Sequence, residues 1–366
     1  MSETPTTSNR GEAKGTLHNA EVAVQVVNCN QAELLPTCLA AIESQTHQPL
    51  RIFIADNASR DASLKMLQGK FPHISLHANT RNLGFGAAHN ALLRAHHAPY
   101  ILMLNVDVKI SPTYVQELVQ IFHDRPDVGM VQGKVLQWTK TTSHQIDNVG
   151  IHLHRNRRND LIGYGEEDGG QYDEPMEVFG CDGAAVLYRR AMLEDIRQGD
   201  EYFDEAFFLF REDVDLAWRA RWRGWRACYQ PSAIAWHIRR YKPGSRRRQA
   251  AWLRRLQLRN RYFLLMKHES WRSLLRDVAP WVWFELRALA YATFVEPHYW
   301  LAFGGALRAL PALVRKRQKI ASRRRVRPEA MQQWYEQPTR RLAEPLSTRT
   351  SQEAVGACRG RIAEHT

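Results

Sequence analysis

The sequence of 366 residues predicts an α/β fold with a mostly parallel central sheet. Three short apolar runs carry this prediction, at residues 22–27, 51–55 and 100–104. Each run has the length and composition of a buried strand, and each is followed at once by polar residues. Open α/β sheets bind their ligands beyond the carboxyl ends of the strands, so the residues after these runs are candidate site residues.

The residues at the three strand ends are amides and carboxylates. Asn30 lies just past the first run, Asp56 follows the second, and Asn105 and Asp107 follow the third. Polar groups at the carboxyl ends of neighbouring strands are typical of nucleotide sites in α/β sheets. The sequence therefore predicts a nucleotide site at this edge of the sheet.

An aromatic run at residues 203–210 ends in three carboxylates, Glu212, Asp213 and Asp215. Carboxylates that are pressed against apolar rings lose solvation, which raises their pKa toward the range in which a general base works. This favours a proton acceptor in the cluster. The alternative is that the three residues only form the acidic first turn of a helix, where the helix dipole stabilises negative charge.

Six segments, in this order along the chain, make the sequence similar to glycosyltransferase family 2 and, within it, to the rhamnosyltransferase-like branch. They read VVNCN at residues 26–30, DNASRD at 56–61, NLGFGAAHN at 82–90, LNVD at 104–107, GCDGAA at 180–185 and ED at 212–213. Each segment alone is a weak signal, but the ordered series is specific. The resemblance spans residues 21–245 and implies a GT-A (Rossmann-like) nucleotide-sugar-binding domain.

The resemblance implies a donor site on the matching positions. Asn30 and Asp56 fall where the family holds the nucleotide base and ribose, and a carboxylate accepts hydrogen bonds from an imide N–H or a ribose hydroxyl. Asn82, Gly84 and Asn105 complete the donor-binding set, in which Gly84 lets the backbone pass beneath a diphosphate. The alternatives are a turn-forming role for Asp56 and an ordinary glycine-rich turn before a helix.

The segment Asn105-Val106-Asp107 stands where the family has an Asp-x-Asp metal motif, and its first residue departs from that pattern. The resemblance implies that Asp107 binds a Mg²⁺ or Mn²⁺ ion that bridges the diphosphate oxygens. Mg²⁺ needs only one or two protein carboxylates when phosphates and water complete its shell. His237 lies where similar enzymes hold the metal or the diphosphate, whereas a lone histidine beside a tryptophan is otherwise more often structural.

The resemblance places the catalytic base in the pair Glu212 and Asp213, with Asp213 preferred and Glu212 left open. One of them removes the proton of an acceptor hydroxyl while the metal neutralises the leaving nucleoside diphosphate. This single displacement inverts the anomeric centre. Asp215 is expected instead to fix the helix or the neighbouring Arg219.

The resemblance implies that Asp182 and Gly183 lie on the acceptor side of the site. They match the segment of small residues that forms the bottom of the active site in the family. Asp182 can contact the donor sugar or acceptor hydroxyls, and the alternative is a tight turn before a strand. Cys181 is expected to be a small buried filler. Residues 137–173 show little periodicity and are predicted to form a loop region over the acceptor.

Composition indicates the cellular compartment of the protein and the segments that lack a fixed structure. Five cysteines without paired metal spacing favour a reducing cytosol. Residues 1–20 lack the apolar core of a signal peptide and are predicted to be disordered, and residues 329–366 are predicted to be a flexible tail. Residues 241–245 are predicted to form a loop that closes over phosphates, or else a surface turn.

Residues 246–328 form a basic, aromatic region that is predicted to be helical, with Trp252, Leu256 and Phe263 on one apolar face. Charged residues and a proline interrupt this region too often for a membrane span of about 20 apolar residues. We predict interfacial helices, with Trp and Tyr at headgroup depth and Arg facing anionic lipid. The alternative is that the aromatic residues pack a helical subdomain or a homo-oligomer interface.

The sequence as a whole predicts an inverting glycosyltransferase in the cytoplasm, at the inner face of the cell membrane. The resemblance favours L-rhamnose from dTDP-rhamnose as the donor sugar and a cell-surface glycan or lipid-linked acceptor. The formal charge of +13 also fits a nucleic-acid-binding protein, but no nucleic-acid motif appears and no such partner is expected. A catalytically silent membrane-docking scaffold is the third interpretation, which intact Asp56, Asp107 and Asp213 disfavour.

Overall fold

The computed structural model describes residues 20–138, 144–239 and 249–342. Predictions that concern residues 1–19, 240–248 and 343–366 lie outside these ranges. They include the disordered amino-terminal segment, the loop at residues 241–245 and most of the predicted tail.

Strands and helices alternate from residue 22 to residue 105, and several short strands follow one another in the middle of the chain. The strands are β1 (Val22–Asn28), β2 (Leu50–Asp56), β3 (Ser75–Ala78), β4 (Tyr100–Asn105), β5 (Val108–Ile110), β6 (Val128–Gln137), β7 (Ile146–Asn148), β8 (Ile151–Leu153), β9 (Asn159–Leu161), β10 (Met176–Val178), β11 (Ala185–Arg189), β12 (Arg226–His237) and β13 (Thr339–Arg341). The helices are α1 (Leu35–Glu43), α2 (Ser63–Lys70), α3 (Phe85–Arg94), α4 (Tyr114–Asp124), α5 (Arg190–Ile196), α6 (Glu212–Arg223), α7 (Ala251–His268), α8 (Trp271–Arg276), α9 (Val278–Phe294), α10 (Trp300–Ser322) and α11 (Gln333–Glu336). Short 3₁₀ turns lie at Glu205–Phe207, Pro297–Tyr299 and Pro328–Met331.

The described residues form one large sheet with the strand order β13-β10-β12-β6-β11-β4-β1-β2-β3, to which β5 and β7 are added at β12 and β6. Strands β4, β1, β2 and β3 run parallel, whereas β11 pairs antiparallel with β4. The parallel register sets Asn28 opposite Asp56 and Val27 opposite Asn105. The polar ends of the three predicted strands therefore meet at one edge of the sheet.

The central strands are apolar because helices pack against both faces of the sheet. Ile101 and Met103 of β4 belong to one core cluster, which includes residues of α6 and α7. Leu102 and Leu104 belong to a second cluster, with residues of α1 and α4. Successive side chains of a strand point to opposite faces, so a strand buried on both faces reads as a continuous apolar run. The predicted α/β fold with added carboxyl-terminal helices is confirmed.

Helix α7 is joined to the sheet domain by buried charges. The ammonium group of Lys267 donates to Asp204 (2.7 Å) and also contacts Asp215. Asp215 accepts a hydrogen bond from Arg219 Nε (2.9 Å) and is bonded to His268 (2.8 Å). The prediction that Asp215 fixes Arg219 is confirmed, and the same carboxylate ties α7 to α6.

Three details differ from the sequence predictions. Residues 329–342 were expected to belong to a flexible tail, but they include α11 and β13, and Trp334 and Tyr335 are buried in the core. Leu256 and Phe263 are buried, but Trp252 is 49% exposed, because it lies in the first turn of α7, where this face of the helix reaches the edge of a cleft. Residues 137–173 were expected to form a loop region, but they include β7, β8 and β9. The chain pairs in these short strands because their apolar side chains reach the core on one side of the sheet. Cys181 is fully buried, as predicted.

Helices α8 and α9 contribute little to the core. Helix α8 has no buried residue, and α9 buries only Ala292. Every exposed large apolar side chain in the described ranges lies between residues 252 and 314. Among the helices of those ranges, none combines the length and the apolar composition that crossing a bilayer requires.

Candidate active site

A cleft of about 370 Å³ opens at the carboxyl edge of β1, β2 and β4. The start of α3, the turn before α6, the end of β12 and the start of α7 form its other walls. Five of the predicted site residues line it: Asn82, Gly84, Asn105, Asp107 and His237. Residues from distant parts of the chain thus converge on one cavity, as the pattern of polar strand ends predicted.

Asn30 and Asp56 lie beside this cleft instead of on its wall. Asp56 is almost fully buried, and its carboxylate accepts hydrogen bonds from Asn28 Nδ2 (2.8 Å) and from the backbone N–H of Ser59 (2.9 Å). Asn30 is exposed, and its side-chain oxygen accepts a hydrogen bond from the backbone N–H of Arg60 (2.7 Å). Both side chains shape the loop after β2, which is the turn-forming alternative for Asp56, and their contact with a nucleotide stays a prediction.

Gly84 occupies a position where the backbone conformation and a close contact both require glycine. Its φ is +86°, and a Cβ atom there would lie 2.3 Å from the carbonyl oxygen of Phe208. That oxygen accepts a hydrogen bond from the N–H of Phe85 (2.7 Å), while Asn82 accepts one from the N–H of Gly84 (2.8 Å). Because glycine alone tolerates both the positive φ and this contact, Gly84 lets the loop before α3 touch the turn before α6.

Asp107 and His237 form a pair on the cleft wall, with 3.3 Å between Asp107 Oδ1 and His237 Nε2. The pairing of β12 with β5 sets His237 opposite Val108 and thus next to Asp107. On its other side, His237 Nδ1 is bonded to Asp147 (3.1 Å). Burial alone would lower the pKa of His237, but the two carboxylates outweigh it and raise the pKa to about 9. The hydrogen bond between Asp107 and His237 keeps the pKa of Asp107 below its usual value despite burial.

Arg239 links this pair to the predicted acceptor side. It donates two hydrogen bonds of 2.7 Å to Asp147 and one of 2.8 Å to Asp182. Ligand atoms of Asp147, Asp182 and His237 lie within 4.8 Å of one another, which makes them a second set of candidate metal ligands. Because Arg239 already donates hydrogen bonds to both carboxylates of that set, the pair of Asp107 and His237 on the cleft wall is the better donor set for a metal ion.

Asp147 and Arg239 are site residues that the sequence does not readily identify. Arg239 follows His237 by two residues, but it lies beyond the end of β12 with a φ of 40°, so the alternation of strand residues does not predict its position. Asp147 lies 90 residues from His237 in an aperiodic stretch, and no local pattern points to it.

Asp213 lies at the start of α6, next to the cleft wall. Its carboxylate accepts hydrogen bonds from the backbone N–H groups of Gly183 (3.2 Å) and Val214 (2.7 Å). A Cβ atom on Gly183 would lie 3.7 Å from both the Asp213 Cβ and the ring of Phe85, which lines the cleft. Burial and the negative charge of Asp182 raise the pKa of Asp213 to about 6. The Asp213 residue is half-buried whereas Glu212 is buried, so Asp213 is the more accessible of the two to an acceptor hydroxyl.

Glu212 differs from its neighbour in burial. It is buried, and one of its carboxylate oxygens has no hydrogen-bond partner in the described part of the chain. Burial and the charge of Asp213 raise the pKa of Glu212 to about 8. Glu212 is therefore protonated at neutral pH, and its environment favours Asp213 as the base. Both residues do lie in the acidic first turn of a helix, as the alternative interpretation expected. That position is compatible with Asp213 as the catalytic base.

The turn before α6 has an unusual backbone. Phe208, Phe210 and Arg211 have φ values of 65°, 69° and 71°, in the left-handed region that side chains other than glycine rarely adopt. Such residues persist only where surrounding contacts hold them, and they concentrate at functional sites. This turn both lines the cleft and leads directly into Glu212 and Asp213.

Asn260 of α7 supplies the contacts that hold this turn. Its side-chain amide donates to the carbonyl oxygens of Phe207 (2.9 Å), Leu209 (2.9 Å) and Phe210 (2.8 Å). Asn260 is fully buried. A helix beyond the predicted boundary at residue 245 therefore positions the backbone next to the candidate base.

Asn260→Asp is expected to lower kcat by about 100-fold, because a carboxylate has no N–H groups for the three carbonyls and small displacements of catalytic groups have effects of this size. The measurement is kcat and donor Kd for both proteins, with circular dichroism to verify folding. Gln257→Glu, one turn earlier on α7, makes the same chemical change and is expected to have a small effect. Equal losses in the two variants would contradict a positioning role for Asn260.

Comparison with protein families gives one match over most of the chain. The model described as "Glycosyltransferase like family 2" matches residues 18–255. Two curated relatives, from the Mycobacterium tuberculosis strains CDC 1551 / Oshkosh and ATCC 25618 / H37Rv, carry the name N-acetylglucosaminyl-diphospho-decaprenol L-rhamnosyltransferase. Each is 25% identical over 261 residues, which cover 65% of this chain and 82% of the relative.

Solved structures show a similar fold at low identity. The crystal structure of GalNAc-T7 with UDP, GalNAc and Mn²⁺ aligns with a TM-score of 0.56 and 14% identity over 82% of this chain. The chain spans 55% of that longer structure. Residues 1–349 of S. aureus TarS align with a TM-score of 0.50 and 14% identity, over 86% of this chain and 89% of that one.

Proposed function

Because the chain belongs to glycosyltransferase-like family 2, we propose that it is a metal-dependent, inverting glycosyltransferase that uses a nucleoside-diphosphate sugar. The predicted GT-A fold and the kinship with rhamnosyltransferases are confirmed. The observation that carries the proposal is the position of Asp213, a half-buried residue of raised pKa beside the cleft that Asp107 and His237 line.

The proposed reaction is a single displacement. Asp213 accepts the proton of the acceptor hydroxyl, and the oxygen forms a bond to the anomeric carbon as the bond from that carbon to the diphosphate oxygen breaks. The electron pair of the broken bond leaves on the nucleoside diphosphate. Attack on the face opposite to the leaving group inverts the anomeric centre.

The residues present fit a divalent metal ion. Asp107 and His237 would offer one carboxylate oxygen and one imidazole nitrogen, a donor set that suits Mn²⁺ and, with phosphate oxygens, Mg²⁺. Because the raised pKa keeps His237 protonated at neutral pH, metal binding would displace the proton on Nε2. Asp147 holds the other imidazole nitrogen and so orients His237. When bound, the ion neutralises charge on the diphosphate and so eases its departure.

We assign L-rhamnose from dTDP-rhamnose as the donor sugar, and a lipid-linked or cell-surface glycan as the acceptor, at the cytoplasmic face of the cell membrane. The names of the two mycobacterial relatives, which refer to rhamnose and to a decaprenol-linked substrate, support this choice. Sugars that differ by one hydroxyl or methyl group are distinguished by a few contacts in the donor pocket, so the identity of the donor sugar must be tested directly.

A thermal-shift panel of nucleotide sugars is the test of the proposed function. In the presence of Mn²⁺, one donor class is expected to raise the unfolding temperature, because a ligand that binds the native state stabilises it. EDTA is expected to abolish both this shift and sugar transfer, and added Mn²⁺ to restore them. Asp107→Asn keeps the shape of the side chain but removes its negative charge, so it should weaken metal binding and lower both the shift and sugar transfer.

Two results would contradict the proposal. One is a panel in which no nucleotide sugar stabilises the protein with either Mg²⁺ or Mn²⁺. The other is a salt-sensitive complex with RNA or DNA in the absence of any sugar transfer, which would favour the nucleic-acid-binding alternative.

A further inference from the structure

Helices α9 and α10 each present a series of apolar side chains to solvent. We call the two series together the apolar face; it consists of Val282, Trp283, Leu286, Leu289 and Phe294 of α9 and Trp300, Leu301, Leu307, Leu310 and Val314 of α10. Phe294 is 83% exposed and Leu307 is 64% exposed. Soluble proteins rarely expose large contiguous apolar patches, and such patches mark sites of interaction.

The apolar face is not the face by which these helices pack. Helix α10 buries a separate stripe of Ala302, Ala306, Leu313 and Ile320 against the rest of the protein. Helix α9 is held on its inner side, where Glu285 pairs with Arg261 of α7 (2.6 Å). The exposed residues are thus additional to those that the fold needs.

The net charge of the chain is carried by the region that contains this face. Residues 249–342 contain 19 Lys and Arg and 6 Asp and Glu, and the difference of +13 equals the formal net charge of the whole chain. The rest of the sequence is therefore neutral. Arg287 of α9 and Arg308 and Arg315 of α10 are exposed, and none forms an ion pair with a carboxylate of the described residues.

The charge decides which occupant fits. A second copy of this chain would bring two strongly positive surfaces together, and like charges in contact oppose association. A bilayer with anionic phospholipids offers negative charge to the arginines and an apolar layer to the side chains between them. Trp283 and Trp300 are of the residue type that settles at the boundary between headgroups and acyl chains.

We propose that the apolar face of α9 and α10 is a docking surface for a bilayer that contains anionic phospholipid. The helices lie on the bilayer with the apolar face in the headgroup region. Arg287, Arg308 and Arg315 contact the lipid phosphates.

The docked orientation also brings the cleft toward the lipid. The start of α7 lines the cleft through Trp252, and Arg254 in the same turn pairs with Glu296 (3.0 Å), between α9 and α10. The cleft and the turn between the two docking helices are therefore at the same end of α7. This placement suits an acceptor whose sugar is carried by a membrane lipid; that part rests on the proposed function, whereas the docking itself does not.

The test is co-sedimentation of the full-length protein with large vesicles of phosphatidylglycerol and phosphatidylcholine, and with vesicles of phosphatidylcholine alone. The protein is expected to bind the anionic vesicles at low salt and to bind less as salt screens the charges. Leu307→Glu and the pair Arg308→Glu/Arg315→Glu are each expected to weaken binding by about tenfold or more. The pair Lys65→Glu/Lys70→Glu on the exposed side of α2 makes the same charge change and is expected to leave binding unchanged.

Three outcomes would overturn the docking proposal. They are failure to bind anionic vesicles at low salt, binding that Leu307→Glu and the arginine substitutions do not weaken, and a dimer in light scattering that the same substitutions dissociate. The last result would assign the face to a second copy. Nucleotide-sugar thermal shifts of the same samples keep the two proposals apart, because all of these variants lie outside the cleft.

Discussion

Asp213→Asn is expected to leave donor binding intact and to lower kcat by about 1000-fold, within the range that a positioned general base contributes. Asparagine has nearly the shape of aspartate, but Gly183 and Val214 donate to different carboxylate oxygens, so its single oxygen can keep only one of these two contacts. An amide cannot accept the acceptor proton, and the displacement loses its base. The measurement is kcat with saturating donor, together with calorimetric titration of the nucleoside diphosphate in Mn²⁺.

Glu212→Gln is the matched comparison for that experiment. The raised pKa of Glu212 keeps it protonated at neutral pH, and glutamine resembles the protonated acid, so turnover is expected to change little. A large loss for Glu212→Gln beside near-normal turnover for Asp213→Asn would exchange the two roles.

The pH profile gives a second check on the base. The pKa of Asp213 is raised to about 6, and only its deprotonated form can accept a proton. Turnover of the wild-type protein is therefore expected to be lost as the pH falls through this value and to be retained above it. The residual turnover of Asp213→Asn should not show this step.

Lys267→Met is expected to lower the free energy of unfolding by about 3 kcal/mol, at the lower end of the range for breaking a buried ion pair. Lys267 is fully buried, and its ammonium group faces both Asp204 and Asp215. Methionine fills a similar volume but leaves the two carboxylates without this cation. The loss is limited because Lys316 still pairs with Asp204 and Arg219 with Asp215.

Urea denaturation of Lys267→Met and of Lys65→Met separates the buried charge from a general effect of removing a lysine. Lys65 is exposed on α2, so its replacement is expected to leave the unfolding midpoint nearly unchanged. If the two variants were equally stable, α7 would not be anchored through Lys267.

Much of the cleft could be predicted from the sequence because its parts are local. Gly84, Asn105 and Asp107 each stand at a strand or loop end, and parallel pairing in register brings such ends to one edge. The family resemblance then added His237, whose distance from Asp107 no local pattern gives. The prediction was less complete for Asp56, because a strand-end carboxylate can turn inward as readily as toward a ligand.

The contacts that complete the site join residues far apart in the chain. Asn260 lies 53 residues from Phe207, Lys267 lies 63 from Asp204, and Asp147 lies 90 from His237. None of these pairs has a periodicity or motif that links its members. These contacts exist only because the packing of helices against strands brings distant residues together.

The amino-acid sequence by itself determined the α/β class, the family and the segments that form the cleft, because strand periodicity and ordered motifs are properties of short stretches of chain. Only the tertiary structure decided that Asp213 is half-buried while Glu212 is buried, that Asp147 and Arg239 stand behind His237, and that the exposed apolar residues gather on α9 and α10. The physical reason is that burial, and with it the pKa of a carboxylate and the exposure of an apolar side chain, depends on which distant segments pack around each residue.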